Sequence, residues 1–346
     1  MAGTVRRDAK ALVAMRCLIT GVSGQAGSYL AEHLLTLDHE VYGMVRRNTS
    51  FIPEKSFVAG ILANPKFHLC KGDICDPYSL ERLFEEIKPH HCYHAAAQSD
   101  VGESWRYPLA TVDATAKGAL HVLEVIRHTA PSCKFVHFSS SEIFGMVRET
   151  PQNEHTPFYP RSPYGVCKAF AHYMTVNYRE SYDLFACNAI LFNMESPRRG
   201  ANFVTQKIAQ GVARIKQELE DGKTPTPLAL GNLTARRDWN DARVSVQAVV
   251  KMLQLEAPDD FVIGSGRTHS VSDFVNMAFE AAGIEDWMEH VVTDPQFIRP
   301  AEVPLLTADP RKAIKHLGYD PQQDFRSLVY EMVEAAMKAK HELLWS

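Results

Sequence analysis

No apolar run in this 346-residue chain is long enough to span a bilayer. The opening stretch, MAGTVRRDAKALVA, has no extended apolar centre of the kind that directs secretion. No CxxC pair occurs among the cysteines at 17, 70, 75, 92, 133, 167 and 187, and their number is odd. That pattern speaks against a disulfide framework and for reduced, mostly buried thiols in the cytoplasm. The HExxH spacing is missing, so no metal site is expected. Neither sign of charge dominates: 37 basic against 41 acidic residues give a net charge of -4. A nucleic-acid partner is therefore not expected, although a local basic pocket for phosphates remains open. Repeats and low-complexity segments are absent too.

What remains is a chain with 45% hydrophobic residues, enough for a sizeable core in one large or two smaller domains. Residues 1–14 read as a tail, with Met15 a possible alternative start. From there short apolar runs alternate with helical periodicity. Strands are expected at 16–21, 40–44, 67–71, 91–95 and 134–139, with helices at 25–37, 77–87 and 109–128 between them. Alternation of this kind predicts an α/β fold, a Rossmann-type doubly wound parallel sheet covered on both faces. After about residue 193 buried-strand runs thin out. Helices are expected at 203–219, at 272–282 with Ser272 as cap, and at 324–344, with a strand at 260–263. Residues 15–193 are thus read as mainly the dinucleotide-binding domain. Residues 194–346 are read as mainly a smaller substrate-binding region, with some exchange of chain between the two.

The first strand runs into GVSGQAG, which places Gly21, Gly24, Gln25 and Gly27 on a tight loop that opens a helix. Glycines let the backbone approach a pyrophosphate, and the helix N-terminus favours its charge. At the end of the second strand, where an acidic residue would serve the ribose hydroxyls of NAD, the chain has Arg46 and Arg47. Guanidinium forks suit a 2′-phosphate, so the expected cofactor is NADP. Asp73, after the third strand, is a candidate for the adenine, with an ordinary turn aspartate as the alternative.

Tyr164 and Lys168 lie four residues apart and share one face of a helix. A tyrosine beside an ammonium and an oxidised nicotinamide is expected to have a lowered pKa and to accept a proton from a sugar hydroxyl. Upstream, FSSSE ends a sheet strand, so Ser140 and Glu142 can converge with that pair at the carboxyl end of the sheet. A dehydrogenase of this architecture needs only hydroxyl, tyrosine and lysine. A carboxylate there can also take a carbon-bound proton beside a ketone and return one to a departing hydroxyl, which is elimination chemistry.

The glycine loop and the Tyr164/Lys168 pair resemble the extended short-chain dehydrogenase/reductase superfamily. Longer runs resemble the GDP-mannose 4,6-dehydratase family, among them LITGVSGQAGSYLAEHLL, SSSEIFG, TPFYPRSPYGVCKAFAHY, ACNAILFNMESPRRGANFVTQKI and RPAEVPLLTADPRKA. They reach from about residue 16 to 336. The resemblance implies a redox-neutral lyase that turns GDP-mannose into its 4-keto-6-deoxy form. Tyr164 would deprotonate the C4 hydroxyl; Glu142 would remove the C5 proton and assist loss of water from C6. Ser140 stands where the family has threonine and keeps a hydroxyl. Lys168 would orient the cofactor ribose and support the Tyr164 phenolate. Asn193, Val204, Lys207, Arg237, Arg299 and Glu302 match positions for the substrate nucleotide. The family further implies a homodimer or homotetramer, with residues 47–51 near a neighbouring subunit.

Departures stand at Asp100 (AAQSD for AAQSH), Met194 (NMESP for NHESP) and Asn240, Asp241, Val244 and Ser245 (RDWNDARVS for RDWGHAKDY). They leave a GDP-manno-heptose open as the alternative sugar. A reductase or epimerase on the same scaffold is the rival enzyme, and Glu142 counts against it. A non-enzymatic NADP-binding sensor is the rival from another class; such a protein need not keep Ser140, Tyr164 and Lys168.

Overall fold

The computed structural model describes residues 14–46, 51–297, 301, 303, 305–321 and 324–343, with side chains up to residue 339. The expected tail therefore lies outside the described residues except for Ala14.

Strands and helices alternate as β1 (Arg16–Thr20), α1 (Gln25–Thr36), β2 (Glu40–Val45), β3 (Phe67–Lys71), α2 (Pro77–Ile87) and β4 (His91–His94). The chain continues through α3 (Val101–Arg106), α4 (Pro108–Thr111), α5 (Gly118–Thr129), β5 (Lys134–Ser140), α6 (Pro163–Tyr182) and β6 (Ala186–Leu191). The expected helix at 109–128 is real but not uniform. A π-helical turn, Val112–Lys117, joins α4 to α5, and such turns often mark functional sites.

Beyond β6 come β7 (Asn193–Glu195), α7 (Val204–Glu220), β8 (Leu228–Leu230), β9 (Arg236–Arg237), β10 (Trp239–Asp241), α8 (Ala242–Met252) and β11 (Phe261–Ile263). The chain then forms β12 (His269–Ser270), α9 (Val271–Ala281), β13 (Val291–Thr293), β14 (Leu305–Leu306), α10 (Arg311–Leu317) and α11 (Phe325–Leu343).

The seven-stranded sheet has the order β11-β6-β5-β4-β1-β2-β3, and every pairing in it is parallel. This is the doubly wound order, with its switch point between β1 and β4. One face packs under α1 and α8 around Leu30, Leu34, Val246 and Val249. The other packs under α2, α5 and α6 around Leu80, Phe84, Leu123 and Phe135. A separate core joins α7, α9 and α11 around Ile208, Phe274 and Met332.

One expectation is corrected. The cap of α9 is Ser270, not Ser272. Ser270 Oγ accepts from Asp273 N at 3.0 Å, while Ser270 N donates to Asp273 Oδ2 at 2.7 Å. A reciprocal box needs this three-residue spacing, which Ser272 lacks. The strand at 260–263 belongs to the main sheet beside β6, although it follows the substrate-region helices in sequence. Asp260 itself stays outside the ladder and pairs with both terminal nitrogens of Arg179 at 2.8 and 2.9 Å.

Candidate active site

A cleft of about 570 Å³ opens at the carboxyl ends of β1, β2, β4 and β5. Gly21, Gly24, Gln25 and Gly27 form its floor. Gly21 turns the chain off β1 with φ of 75°, a conformation that suits glycine. Gly24 caps α1 without a side-chain bond, and no acidic residue occupies the first helical turn. A Cβ on Gly24 would meet only Gly21 O, at 3.4 Å; a side chain there would therefore stand in the open cleft. The bare helix end, the absent carboxylates and the open space together fit a pyrophosphate. Gln25 lines the cleft, but its side chain faces across it. Nε2 donates to Met194 O at 2.8 Å, and Oε1 accepts from Ser196 Oγ at 2.8 Å.

Arg46 follows β2 and lines the cleft exposed; Arg47 lies outside the described residues. Asp73 also lines it, and its Oδ1 accepts from Cys75 N at 2.9 Å. That bond is the turn geometry an ordinary aspartate provides, and one carboxylate oxygen is left for other partners.

Ser140, Glu142, Tyr164 and Lys168 meet on one wall. Ser140 ends β5, and its Oγ accepts from Glu142 N at 3.3 Å, which fixes the turn carrying the carboxylate. Ser162 caps α6 by accepting from Gly165 N at 3.0 Å, with Pro163 in the first turn. Tyr164 is therefore held in that first turn and Lys168 one turn later. All four are buried. Lys168 Nζ donates to Phe138 O and lies 6.0 Å from the centre of the Tyr164 ring.

The electrostatics of the protein atoms run against the lowering that Tyr164 is expected to gain beside an ammonium and an oxidised nicotinamide. Burial pushes the Tyr164 phenol up to about 12; Ser140, within hydrogen-bonding reach, lowers it, Glu142 raises it and the Arg199 charge lowers it. Lys168 does not offset the burial, because burial brings its own pKa down to about 7 and its ammonium is turned toward a carbonyl. The protein atoms alone therefore leave Tyr164 a weaker acid than free tyrosine.

Of the substrate candidates, Asn193 lines the cleft. Val204, Lys207 and Arg237 are not part of its lining. Val204 opens α7 partly exposed. Lys207 Nζ sits 3.3 Å over the Phe297 ring, and Arg237 is buried on β9 with Nη1 donating to Arg236 O at 2.8 Å. Arg299 and Glu302 lie outside the described residues, as does most of the 47–51 segment.

Sequence reasoning missed Arg199. Its guanidinium stacks 3.6 Å over Phe203, contacts Glu195 Oε2 at 3.4 Å, lines the cleft and acts on Tyr164. The signal was the arginine pair in ESPRRG, directly after the strand that ends at the cleft. No cluster of metal-ligating side chains occurs among the described residues.

A doubly wound sheet with a glycine loop and a buried Ser–Tyr–Lys wall defines an extended short-chain dehydrogenase/reductase. Solved structures share the fold: a dTDP-glucose 4,6-dehydratase from Streptomyces venezuelae matches with TM-score 0.82 at 22% identity, covering 95% of this chain and 98% of that one. A UDP-glucose 4-epimerase from Thermus thermophilus, solved with NAD, matches with TM-score 0.79 at 26% identity, covering 94% of this chain and 100% of that one. The family model described as GDP-mannose 4,6 dehydratase matches residues 18–332. A GDP-mannose 4,6-dehydratase from Vibrio cholerae is 42% identical, covering 95% of this chain and 96% of that protein. GDP-mannose 4,6 dehydratase 2 from Arabidopsis thaliana is 45% identical, covering 94% and 88%. The chain belongs to the GDP-mannose 4,6-dehydratase family.

Proposed function

We propose that this protein is an NADP-dependent hydro-lyase that converts GDP-mannose into GDP-4-keto-6-deoxymannose. The observation that carries the reading is the buried Glu142 carboxylate placed beside Ser140, Tyr164 and Lys168 in a cleft built for a dinucleotide. When bound, the nicotinamide would accept hydride from C4 and give it back at C6, with a proton restored at C5, so the net reaction stays redox-neutral. Tyr164 accepts the proton of the C4 hydroxyl, with Ser140 hydrogen-bonded to the same oxygen. Glu142 takes the C5 proton, acidified by the C4 ketone, and delivers a proton to the C6 hydroxyl as water leaves. Arg199 brings positive charge toward a phenolate that burial disfavours, and Lys168 would orient the cofactor ribose. Nothing in this scheme needs a metal.

Residues 15–193 mainly hold the cofactor, with Gly21, Gly24, Gln25 and Gly27 at the pyrophosphate, Arg46 and Arg47 at the 2′-phosphate and Asp73 at the adenine. Residues 194–346 mainly hold the nucleotide sugar. Asn193 serves the cleft end of the GDP, with Val204, Lys207, Arg237, Arg299 and Glu302 beyond it. A homodimer is part of the proposal. Val166, Phe170 and Tyr173 line the exposed outer face of α6 at helical spacing, and sedimentation would distinguish dimer from tetramer. All seven cysteines are free thiols, and no described helix is long and apolar enough to cross a membrane; both suit the cytoplasm.

The test is incubation of the holoenzyme with GDP-mannose, and in parallel with a GDP-manno-heptose, followed by mass spectrometry. Loss of one water without stoichiometric NADPH accumulation is expected from GDP-mannose. Dehydration of the heptose alone transfers the reading to that sugar, net NADPH formation makes the protein a dehydrogenase, and no product from either overturns it.

A further inference from the structure

A polar band crosses the interior of the main sheet. Thr20 on β1, His94 on β4, His137 on β5 and Asn188 on β6 occupy successive register positions, each opposite the next. None is more than 1% exposed. They lie on the face covered by α2, α5 and α6, one pleat beyond Leu18, Cys92, Phe135 and Ala186, which are all apolar core. Buried parallel strands normally carry apolar residues at such positions.

The band is incompletely satisfied by protein groups. Thr20 Oγ1 accepts from Ala96 N at 3.2 Å and meets His94 Nδ1 at 2.9 Å. With the hydroxyl proton directed at Nδ1, the His94 proton sits on Nε2. Asn188 Nδ2 donates to His172 O and Asp260 Oδ1, both at 3.2 Å. His94 Nε2, both ring nitrogens of His137 and Asn188 Oδ1 have no partner among the described residues. Native cores rarely leave four such atoms together. The set contains donors and acceptors in the mixture that an ordered water requires.

The titratable groups that face the band are these. Lys168 acts on both His94 and His137 from α6. His172, also on α6, bonds Ser139 Oγ at 3.3 Å, and Cys167 adjoins Lys168. Asp260, before β11, is paired with Arg179 of α6. Burial brings His94 down to about 3, His172 to about 4 and His137 well below the usual imidazole range. The rings thus stay neutral, offering dipoles and no competing charge.

We propose that His94 and His137 are positioning residues that, with Asn188, hold a buried water against the Lys168 ammonium and so keep that lysine charged behind Tyr164. The inference rests on Lys168 being the lysine of the proposed site. It takes up an ammonium whose acceptor among the described residues is the Phe138 carbonyl.

The test compares wild-type holoenzyme with two double variants, His94→Leu/His137→Leu and His94→Asn/His137→Gln. In the leucine variant the alkaline limb of kcat is expected to move down by about half a pH unit or more. KM for GDP-mannose should stay within about twofold, and the Asn/Gln variant should restore the limb. An unmoved limb, or an Asn/Gln variant that behaves like leucine, overturns the proposal. Imidazole NMR of the wild-type chain provides an arm independent of turnover and of whether the leucine variant folds. His94 is expected as the Nε2–H tautomer, with neither ring titrating between about pH 5 and 9; a ring that titrates there overturns the proposal. Wild-type protein that dehydrates no GDP-sugar would count against the proposed function, while the NMR arm would still decide the band.

Discussion

Gln25, in the first turn of α1, donates to the carbonyl oxygen of Met194, 169 residues further along the chain, at 2.8 Å. With Ser196 on its other amide atom, this side chain ties the glycine loop to the segment that carries Glu195 and Arg199. Gln25→Ala is expected to cost about 1–3 kcal/mol of stability for the two bonds. It should also weaken NADPH binding and raise KM for GDP-mannose together. Urea unfolding and fluorescence titration would check both; a variant with altered cofactor binding alone would mean that the tie transmits nothing.

Glu142→Gln keeps size and hydrogen bonding but removes the base. Turnover is expected to fall by about 100-fold or more, with cofactor affinity retained. Solvent deuterium should still enter wild-type product at C5 and fail to enter with the variant. Near-normal turnover would rule out the acid–base role.

Arg46→Ala removes a charge-assisted partner at the end of β2. NADP affinity is expected to drop by about tenfold or more, the equivalent of about 1.5–3 kcal/mol, with NAD affinity nearly unchanged. Calorimetric titration with each dinucleotide tests this, and equal losses for both would point to a structural role.

Lys168 is a stability cost written into the site. Burial among protein groups alone brings its folded pKa down to about 7 from the ordinary 10.5, and the proposed water would narrow that gap without closing it. Between those values the unfolded chain binds more protons than the folded one, so this group's penalty is greatest below about pH 7 and fades toward pH 10.5. Lys168→Met is therefore expected to be more stable than wild type near neutral pH, with the gap in Tm closing as pH rises through that window. A gap independent of pH would show that the side chain is charged equally in both states.

Much of the architecture was legible because β1 to β5 are short apolar runs separated by helical periodicity. The strand β6 was not read, since Asn188 and Cys187 interrupt ACNAIL; Asn188 Nδ2 bonds to His172 O and Asp260 Oδ1, partners invisible locally. The wall of Ser140, Glu142, Tyr164 and Lys168 was readable from a strand end and one helical repeat. Arg199 was not, because its place depends on how the chain folds back after β7. Lys207 and Arg237 stand outside the lining of the cleft, so their proposed place beyond it was not legible from the cleft residues. At Tyr164 the spacing gave the neighbouring Lys168 but could not show the burial that raises the phenol among protein atoms alone.

The strand β11 pairs with β6 only after about 70 further residues have been made. At about 5–20 residues per second a ribosome needs roughly 4 to 14 seconds for that stretch. Throughout that interval β6 is an open sheet edge, with backbone amides available to any other extended chain. The nascent protein is thus most exposed to mispairing in mid-synthesis, and fragments ending between β6 and β11 are the ones expected to aggregate.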